Sequence, residues 1–372
     1  MNDQPTPDML ARIALAQVVE PGNPKIGMQV TQRGACDVVS EMLAHLSNTR
    51  LPDLAAAERE VELAATIGVR LVFPDTLDWP TQLDDLGPSR PLLLWVRGGG
   101  QLRLGVVRSV SVVGARAASE YGLTLASRLS SDLARAGWSV VSGGAFGVDA
   151  AAHRGVVAVR DRGEGPEPGL TVAVLACGVD FGYPKANASL FEEIVKRGLL
   201  VSEVPLGTQP RRLRFLVRNR LIAALTRGTV VVEAAYRSGA LGTLRYAEKL
   251  GRVVMGLPGP VDSYLSGGVH RELRAGALLV TSAAEIIEAV GELGADLAPE
   301  PTTPNRPRDQ LGSLARVVLD LFPAREAIAQ VDLDRAAGLI PGALAVVLAE
   351  LEAASMIRPN GAGWELTARA RA

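Results

Sequence analysis

The sequence predicts an α/β protein in which a Rossmann-like parallel sheet domain lies between a helical N-terminal domain and a C-terminal winged-helix domain. Two observations predict the central domain. Strand-sized apolar runs alternate with helical segments from Ser109 onward, and glycine-rich turns follow most of these runs. Strands separated by helices form a parallel sheet with helices on both faces. Changes of pattern near residue 65 and across residues 293–310 set the domain limits at 1–65, 66–292 and 311–372.

The composition is that of a globular protein whose charge is balanced overall. The 372 residues carry a formal net charge of -1 and are 48% hydrophobic, enough for two or three domains with a buried core. Two cysteines, Cys36 and Cys177, exclude a disulfide framework and a thiolate metal site, and the three histidines lack metal-ligand spacing. The apolar runs are far shorter than a membrane span, and residues 1–5 lack signal-peptide features. We therefore expect a cytoplasmic protein without membrane attachment.

Residues 1–65 are rich in alanine and leucine and have helical periodicity, as in Asp8–Val19 and Leu54–Ala65. A turn at Glu20–Pro24 is followed by a second helix through Ala35–Leu46. This order fits either a helix-hairpin-helix module, which grips a DNA backbone through turn amides, or a helical packing domain. The absence of a Gly-x-Gly hairpin favours the packing domain.

The sheet domain begins with an irregular, proline-rich connector over residues 66–107, which is predicted to contain one or two strands, among them Leu92–Val96. Seven further strands are predicted at Val110–Val113, Ser139–Ser142, Thr171–Ala176, Leu199–Ser202, Thr229–Glu233, Val253–Gly256 and Leu278–Val280. Ligands of parallel sheets bind beyond the carboxyl ends of the strands, so the residues that follow each run are the informative ones.

Glycine-rich turns follow five of these strands, and glycine lets backbone amides approach an anion closely. The turns are Gly114-Ala115-Arg116, Gly143–Asp149, Gly178–Asp180, Ser238–Thr243 and Pro258–Pro260. None matches the Gly-x-Gly-x-x-Gly dinucleotide fingerprint, because Arg116 stands where a second glycine is needed. We therefore expect no nicotinamide or flavin cofactor.

The basic segment, residues 211–220, contains five of the 39 lysine and arginine residues. One interpretation is a solvated helix face with ion pairs. The other is a phosphate site, because the forked donors of arginine match phosphate oxygens. Three observations favour the phosphate site: no carboxylate lies between Pro205 and Thr229, Phe215 is interleaved with the arginines, and glycine-rich turns flank the segment.

After a proline-rich linker at residues 293–310, residues 311–372 have the element order of a winged helix. Three helices and a hairpin are predicted at Ser313–Leu321, Asp332–Gly338, Pro341–Ala353 and Met356–Leu366. The third helix has no cation, and insertion into a DNA groove would bring Glu350 and Glu352 toward phosphates. We therefore expect a protein-contact or packing module, and the same helix argues against a transcriptional regulator.

The motifs of the sheet domain, taken in order and spacing, resemble those of the DNA-processing protein A family, also called Smf, from about Leu92 to Val290. The matching motifs are Val113-Gly114-Ala115-Arg116, Ser142-Gly143-Gly144-Ala145-x-Gly147-Val148-Asp149, Tyr183-Pro184-x-x-Asn187, Ser202-Glu203, Phe215-x-x-Arg218-Asn219-Arg220, Ser238-Gly239 and Pro258-Gly259. Ala115 departs from the serine or threonine usual in the family.

This resemblance implies a non-catalytic protein without a cofactor that binds and protects single-stranded DNA and loads the RecA recombinase onto it in natural transformation and homologous recombination. It implies RecA, single-strand-binding protein and a second copy in a homodimer as partners. By motif position, the DNA contacts are Arg116, Gly144, Lys185, Phe215, Arg218, Asn219 and Arg220. The basic segment and the strand-end turn add Arg211, Arg212, Arg214, Ser238 and Gly239. Phe215 is expected to stack on a base, and Arg116, Arg218 and Arg220 to clamp phosphates.

The competing hypothesis is an enzyme. Asp149 and His153, four residues apart, suggest a hydrolase, but no nucleophile elbow is present, and such a pair usually braces a helix. The loop from Ser238 also resembles that of phosphoribohydrolases, yet Arg245 and Tyr246 stand where their catalytic glutamate should be. Nucleotide binding without chemistry stays open as an alternative. Glu233, at a strand end, is expected to be a structural acceptor.

Overall fold

The computed structural model of this chain describes residues 5–45, 51–160, 167–292, 294, 296–299, 306–340, 342–361 and 363–371. They form two compact units, Met1–Ala298 and Pro299–Ala372. The predicted domain limit near residue 65 falls inside the first unit. Residues 1–4, on which most of the signal-peptide argument rests, lie outside the described residues, and so does much of the predicted linker.

Within the described residues, the first unit is built on a nine-stranded, mostly parallel sheet. Its strands are β1 (Val69–Val72), β2 (Leu94–Arg97), β3 (Ser109–Val113), β4 (Ser139–Ser142), β5 (Thr171–Leu175), β6 (Leu199–Ser202), β7 (Gly228–Val231), β8 (Val253–Gly256) and β9 (Leu278–Leu279). The order across the sheet is β1-β2-β6-β5-β4-β3-β7-β8-β9. Strands β3 to β9 pair in parallel. The predicted α/β fold with a parallel central sheet is confirmed.

Helices precede the sheet and connect its strands. They are α1 (Pro7–Val18), α2 (Pro24–Arg33), α3 (Ala35–His45), α4 (Leu54–Thr66), α5 (Leu102–Gly105), α6 (Glu120–Arg135), α7 (Val148–Arg160), α8 (Ala188–Arg197), α9 (Arg212–Ala224), α10 (Ala240–Lys249), α11 (Gly267–Arg274) and α12 (Ala283–Val290). Short 3-10 segments lie at Thr81–Ser89 and Lys185–Asn187. Among the helices of the described residues, none has both the length and the apolar character needed to span a bilayer.

The central strands are continuous apolar runs because both faces of the sheet are covered. Every residue of β3 to β7 is buried. Adjacent strand residues point to opposite faces, so Val113 packs in a layer with Ile222 of α9, whereas Val112 packs in another with Leu129 of α6. Burial on both faces explains why valine and leucine predominate along these strands.

The N-terminal segment contains one helix more than the sequence analysis predicts. Residues 24–33 form α2, whereas the sequence analysis predicts no separate helix between the turn at Glu20–Pro24 and the helix through Ala35. Gly34 has φ of 85°, a conformation that interrupts a helix and that glycine adopts at little cost. The break lets α2 and α3 pack on each other and on α1 through Leu15, Val30 and Val38.

The predicted connector supplies two strands to the main sheet. β1 pairs antiparallel with β2, and β2 pairs antiparallel with β6, where Trp95 lies opposite Ser202. The N-terminal helices α1 and α4 cover this end of the sheet, and Ile13 and Ala57 pack in one cluster with Trp95. The N-terminal segment therefore reaches the part of the sheet that precedes α9.

The second unit contains helices α13 (Ser313–Leu319), α14 (Gln330–Ala337), α15 (Ala343–Ala353) and α16 (Ala368–Arg371), after a 3-10 turn at Pro307–Gln310. Its strands β10 (Ile328–Ala329), β11 (Ile357–Asn360) and β12 (Gly363–Leu366) form a sheet of order β10-β12-β11. Leu333, Leu348 and Ile357 pack in its core, and Glu350 of α15 is exposed. Pro341, the predicted first residue of the third helix, lies outside the described residues. The winged-helix assignment stays a prediction.

Candidate functional site

A cavity of about 410 Å³ lies at the carboxyl edge of the sheet, where β3 is flanked by β4 and β7. The chain after β3 and β4 leads to helices on one face, and the chain after β7 leads to a helix on the other. Such a reversal opens a crevice between adjacent loops, the usual ligand site of a parallel sheet. The lining residues are 113–117, 145, 149, 215, 216, 218, 219, 222, 235, 237–240, 243, 264 and 265.

The predicted site residues divide into two groups. Those that line the cavity are Arg116, Phe215, Arg218, Asn219, Ser238 and Gly239. Those that lie outside its lining are Gly144, Lys185, Arg211, Arg212, Arg214 and Arg220. For the arginines of the basic segment the difference follows from the course of α9, because only one side of this helix faces the cavity.

Helix α9 changes character along its length. Leu213 and Leu216 near its start are 73% and 52% exposed, whereas all residues from Arg218 to Ala224 are buried. The basic segment therefore spans both characters, from exposed residues at the start of the helix to the buried Arg218 and Arg220. The buried second half runs under β3 and fixes the side chains of the first half at the cavity.

Phe215 forms the aromatic wall of the cavity. Its ring lies 5.0 Å from the guanidinium carbon of Arg116 and 5.9 Å from the ring of Tyr183, measured to the ring centroids. Arg116 is exposed and Phe215 is partly exposed, so a ligand can reach both. An aromatic ring beside a guanidinium offers one nucleotide both a face on which its base can stack and a hydrogen-bond donor for its phosphate.

Arg218 forms the floor of the cavity and is 6% exposed. Its Nη1 donates to the carbonyl oxygen of Gly143 at 2.6 Å and to that of Val174, at the ends of β4 and β5. Burial lowers the pKa of Arg218 to about 10, against the opposing effect of Asp149, so the side chain is charged at neutral pH. The side chain therefore places a positive charge at the floor of the cavity, while its N–H groups bond to the carbonyl oxygens at the ends of the two strands.

Asn219 and Ser238 shape the loop that follows β7. The amide nitrogen of Asn219 donates to the carbonyl oxygen of Gly239 at 3.3 Å. The hydroxyl of Ser238 accepts from the backbone amide of Ala240 at 3.3 Å, at the start of α10. Gly239 is exposed, and the amides of this helix start carry a partial positive charge that attracts anions.

Arg220, expected from the sequence to clamp a phosphate, lies outside the cavity lining and is buried in an ion pair. It is 3% exposed, and its Nη2 donates to both carboxylate oxygens of Glu203, at 2.6 and 2.7 Å. Glu203 also accepts from the backbone amide of Gly22 at 3.2 Å. A phosphate would have to displace a buried carboxylate to reach Arg220, so this geometry contradicts a direct phosphate contact.

The remaining residues outside the cavity have other surroundings. Gly144 is buried, with φ of 69°, and a Cβ there would lie 2.8 Å from the Phe191 ring. Glycine is therefore needed at this position by the backbone conformation and the packing, and the residue offers no surface for a ligand. Arg211 and Arg214 pair with Glu20 from the turn between α1 and α2. Arg212 and Lys185 are exposed. Lys185 shares a loop with Tyr183, whose ring contacts Phe215.

Among the lining residues that the sequence analysis did not predict, Arg237 and Tyr264 have side chains suited to bind a ligand. Tyr264 is 73% exposed, and Arg237 directly precedes the predicted Ser238-Gly239 turn. In the described part of the chain, neither Arg237 nor Arg116 forms an ion pair with a carboxylate. The mouth of the cavity is therefore positively charged, and Arg237 could have been found from its place at a strand end.

The candidate catalytic residues have structural partners. The carboxylate of Asp149 accepts from the backbone amide of Ala145 at 3.3 Å, and burial raises its pKa. His153 is fully buried and shares a hydrogen bond of 2.7 Å with the hydroxyl of Thr171. Burial lowers the pKa of His153 to about 3, so the ring is neutral at physiological pH and has no access to a substrate.

Glu233 accepts from the backbone amide of Ser119 at 2.9 Å and from the Ser119 hydroxyl, which confirms its prediction as a structural acceptor. Arg245, at the position that corresponds to the phosphoribohydrolase glutamate, is exposed on α10. Within the described ranges, no cluster of three or more His, Cys, Asp or Glu side chains is arranged to bind a metal ion.

Comparisons with known proteins agree with one another. The family model described as DNA recombination-mediator protein A matches residues 70–291. A Mycobacterium tuberculosis (strain H37Rv) protein that bears the name DprA is 39% identical over 363 residues, covering 95% of this chain and 90% of the relative. The DNA processing protein DprA of Bacillus subtilis is 31% identical, covering 65% and 76%.

Two solved structures are similar as well. DNA processing protein A (DprA) of Streptococcus pneumoniae matches with a TM-score of 0.61 at 28% identity, covering 78% of this chain and 100% of that chain. DNA processing protein A of Helicobacter pylori, whose structure is described for its unique single-stranded DNA binding mode, matches with a TM-score of 0.51 at 27% identity, covering 59% and 94%.

Proposed function

Because this chain belongs to the DNA recombination-mediator protein A family, we propose that it binds single-stranded DNA at the carboxyl-edge cavity and delivers that DNA to a recombinase. The observation that carries the proposal is the combination at the cavity mouth of Phe215 with two arginines, Arg116 and Arg237, for which the described residues provide no carboxylate in an ion pair. The DNA-binding mode named for the Helicobacter pylori relative supports it.

The cavity fits a single strand better than a duplex. A base must be unstacked to lie against Phe215, and only single strands offer unstacked bases without an unpairing cost. Phosphates on either side of such a base would meet Arg116 and Arg237. Stacking and phosphate contacts are both independent of sequence, so we propose binding without base preference.

The biological role that we propose is that of the family: protection of single strands and loading of RecA in transformation and recombination, in the cytoplasm, as a homodimer that also meets single-strand-binding protein. We propose no catalytic step, because Asp149 and His153 are buried and structurally bonded. Lys185 and Arg212, exposed beside the cavity, are proposed to extend the contact with the strand.

We predict that Phe215→Ala and Arg116→Ala each weaken oligothymidine binding. Loss of base stacking, worth roughly 1–3 kcal/mol per base, corresponds to a loss of affinity of about five-fold or more for Phe215→Ala, with an unchanged salt slope. Arg116→Ala removes one phosphate contact, so the slope of log K against log salt is expected to fall by about 0.7. Fluorescence anisotropy of labelled oligothymidine at several salt concentrations measures both effects.

The matched control is Arg128→Ala on α6, an exposed arginine outside the cavity lining whose loss changes the net charge equally. If Arg128→Ala weakens binding as much as Arg116→Ala, or if wild type prefers duplex, the cavity is not the DNA site. Competition by mononucleotides without oligothymidine binding would instead support the alternative of a nucleotide site.

A further inference from the structure

The structure has a second cavity beside α9, separate from the one that contains Phe215. Its volume is about 740 Å³, and it is bounded by the turn after α1, by α4 and by the loop from β6 to α9. Three arginines line it, Arg59, Arg211 and Arg214. Arg214 directly precedes Phe215 in the chain, so the two cavities adjoin across the start of α9.

Glu20 forms ion pairs with two of the arginines of this cavity, Arg211 and Arg214. Its carboxylate accepts from Nε of Arg214 at 3.0 Å and from Nη2 at 2.8 Å, the paired geometry in which a guanidinium also binds phosphate. Nη1 of Arg211 lies 3.6 Å from the same carboxylate. The Arg214 hydrogen bond lowers the pKa of Glu20, so the carboxylate is charged at neutral pH.

Opening this pair requires only a side-chain rotation. The turn that carries Glu20 is held independently, because the backbone amide of Gly22 donates to the buried Glu203. The Glu20 side chain itself is 60% exposed, whereas that of Arg214 is 15% exposed. An ion pair whose carboxylate is exposed to solvent contributes little to stability, so a polyanion can compete with this carboxylate.

The chemistry of the lining selects a backbone phosphate over a nucleotide base. The loop amides are already bonded: Leu206 to Glu60, Gly207 to Asp180 and Thr208 to the carbonyl oxygen of Pro205. The guanidinium groups are therefore the main available donors. The lining, all of it within the described residues, contains no aromatic side chain on which a base could stack.

We propose that the start of α9 and the facing α1–α2 turn form a second phosphate-binding site for the same DNA strand, which Glu20 closes until the strand displaces it. This inference rests on the proposed function. A single phosphate binds this site weakly, because it must displace the Glu20 carboxylate. A long strand that is already bound at Phe215 presents its next phosphates at high local concentration, so it can displace the carboxylate. It thereby selects long single strands over short fragments.

The test uses Glu20→Gln, which keeps the side-chain shape and removes its charge. We expect oligothymidine to bind about three- to five-fold more tightly than to wild type, the range of a lost exposed ion pair. The salt slope with a long oligothymidine should stay close to that of wild type, since Arg211 and Arg214 contact phosphates in both complexes once the strand has displaced Glu20. The gain should appear only with oligothymidines long enough to extend beyond the Phe215 cavity.

The matched control is Asp132→Asn, which removes the same charge from an exposed pair with Arg135 on α6. Adding Arg211→Ala and Arg214→Ala to Glu20→Gln should abolish the gain, with thermal melting used to verify folding of every variant. An equal gain in Asp132→Asn, or a gain that survives loss of both arginines, overturns the inference.

Two further outcomes separate the hypotheses. A wild type that binds no oligothymidine contradicts the proposed function together with this inference. A wild type that binds through Phe215 and Arg116, but gains nothing from Glu20→Gln, contradicts this inference alone. If inorganic phosphate raises the melting temperature of Glu20→Gln while oligothymidine affinity is unchanged, the site takes a free phosphate and the assignment to DNA is wrong.

Discussion

Replacement of Glu203 by alanine is expected to lower the free energy of unfolding by about 3–5 kcal/mol, because it leaves the Arg220 guanidinium buried without its carboxylate. Both side chains are almost inaccessible, at 9% for Glu203 and 4% for Arg220. Nε and Nη1 of Arg220 already lack hydrogen-bond partners within the described residues, so the guanidinium depends on Glu203. The substitution also removes the acceptor for the Gly22 amide.

Urea unfolding at neutral pH measures this effect. The double variant Glu203→Leu, Arg220→Met should recover most of the lost stability, because replacing both charges by apolar groups is far less costly than leaving one. Glu20→Ala, which breaks an exposed pair, is the control and should cost less than about 1 kcal/mol. A Glu203→Ala variant as stable as Glu20→Ala would show that Arg220 is solvated, and would restore its predicted phosphate contact.

Acidification is expected to destabilise the protein through His153. Burial lowers the pKa of His153 to about 3 in the folded state, against an ordinary value of 6.5. Between these values the unfolded chain binds a proton that the folded chain does not, so stability is complete above about pH 6.5 and falls with decreasing pH. One proton corresponds to about 1.4 kcal/mol per pH unit in this window.

The measurement is the free energy of urea unfolding between about pH 7 and pH 4 for wild type and His153→Phe, which keeps a ring of similar size. The difference between the two proteins should change by about 1.4 kcal/mol per pH unit, since carboxylates contribute equally to both. His270→Gln, at a partly exposed histidine of α11, is the control. Parallel pH profiles for wild type and His153→Phe would contradict the prediction.

The sequence predicts the central sheet well and its edges less well. Strands such as β3 and β5 are recognisable because burial on both faces demands continuous valine-rich runs. The antiparallel addition of β1 and β2 depends on a pairing with β6, more than 100 residues later, which no local pattern contains. Gly34 is visible in the sequence, but whether it ends a helix depends on the packing of α2 against α3.

The candidate site shows the same limit. Glycine turns and Phe215 could be placed at the carboxyl edge because strand ends share that edge. The absence of carboxylates between Pro205 and Thr229 suggested that the arginines are free, yet Glu203 and Glu20 reach them from outside that stretch. Which arginines face a ligand depends on ion pairs with residues that are distant in the sequence. The composition of the segment itself therefore cannot predict it.

The order of the strands also governs when the protein can fold as it emerges from a ribosome. The β1–β2 hairpin has no sheet to join until β6 has been made, and β3 lacks one of its two neighbours until β7 follows. At roughly 5–20 residues per second, the hairpin waits on the order of ten seconds. The apolar N-terminal helices that cover it remain exposed for the same interval, so their early folding depends on chaperones or on their own packing around Leu15 and Val38.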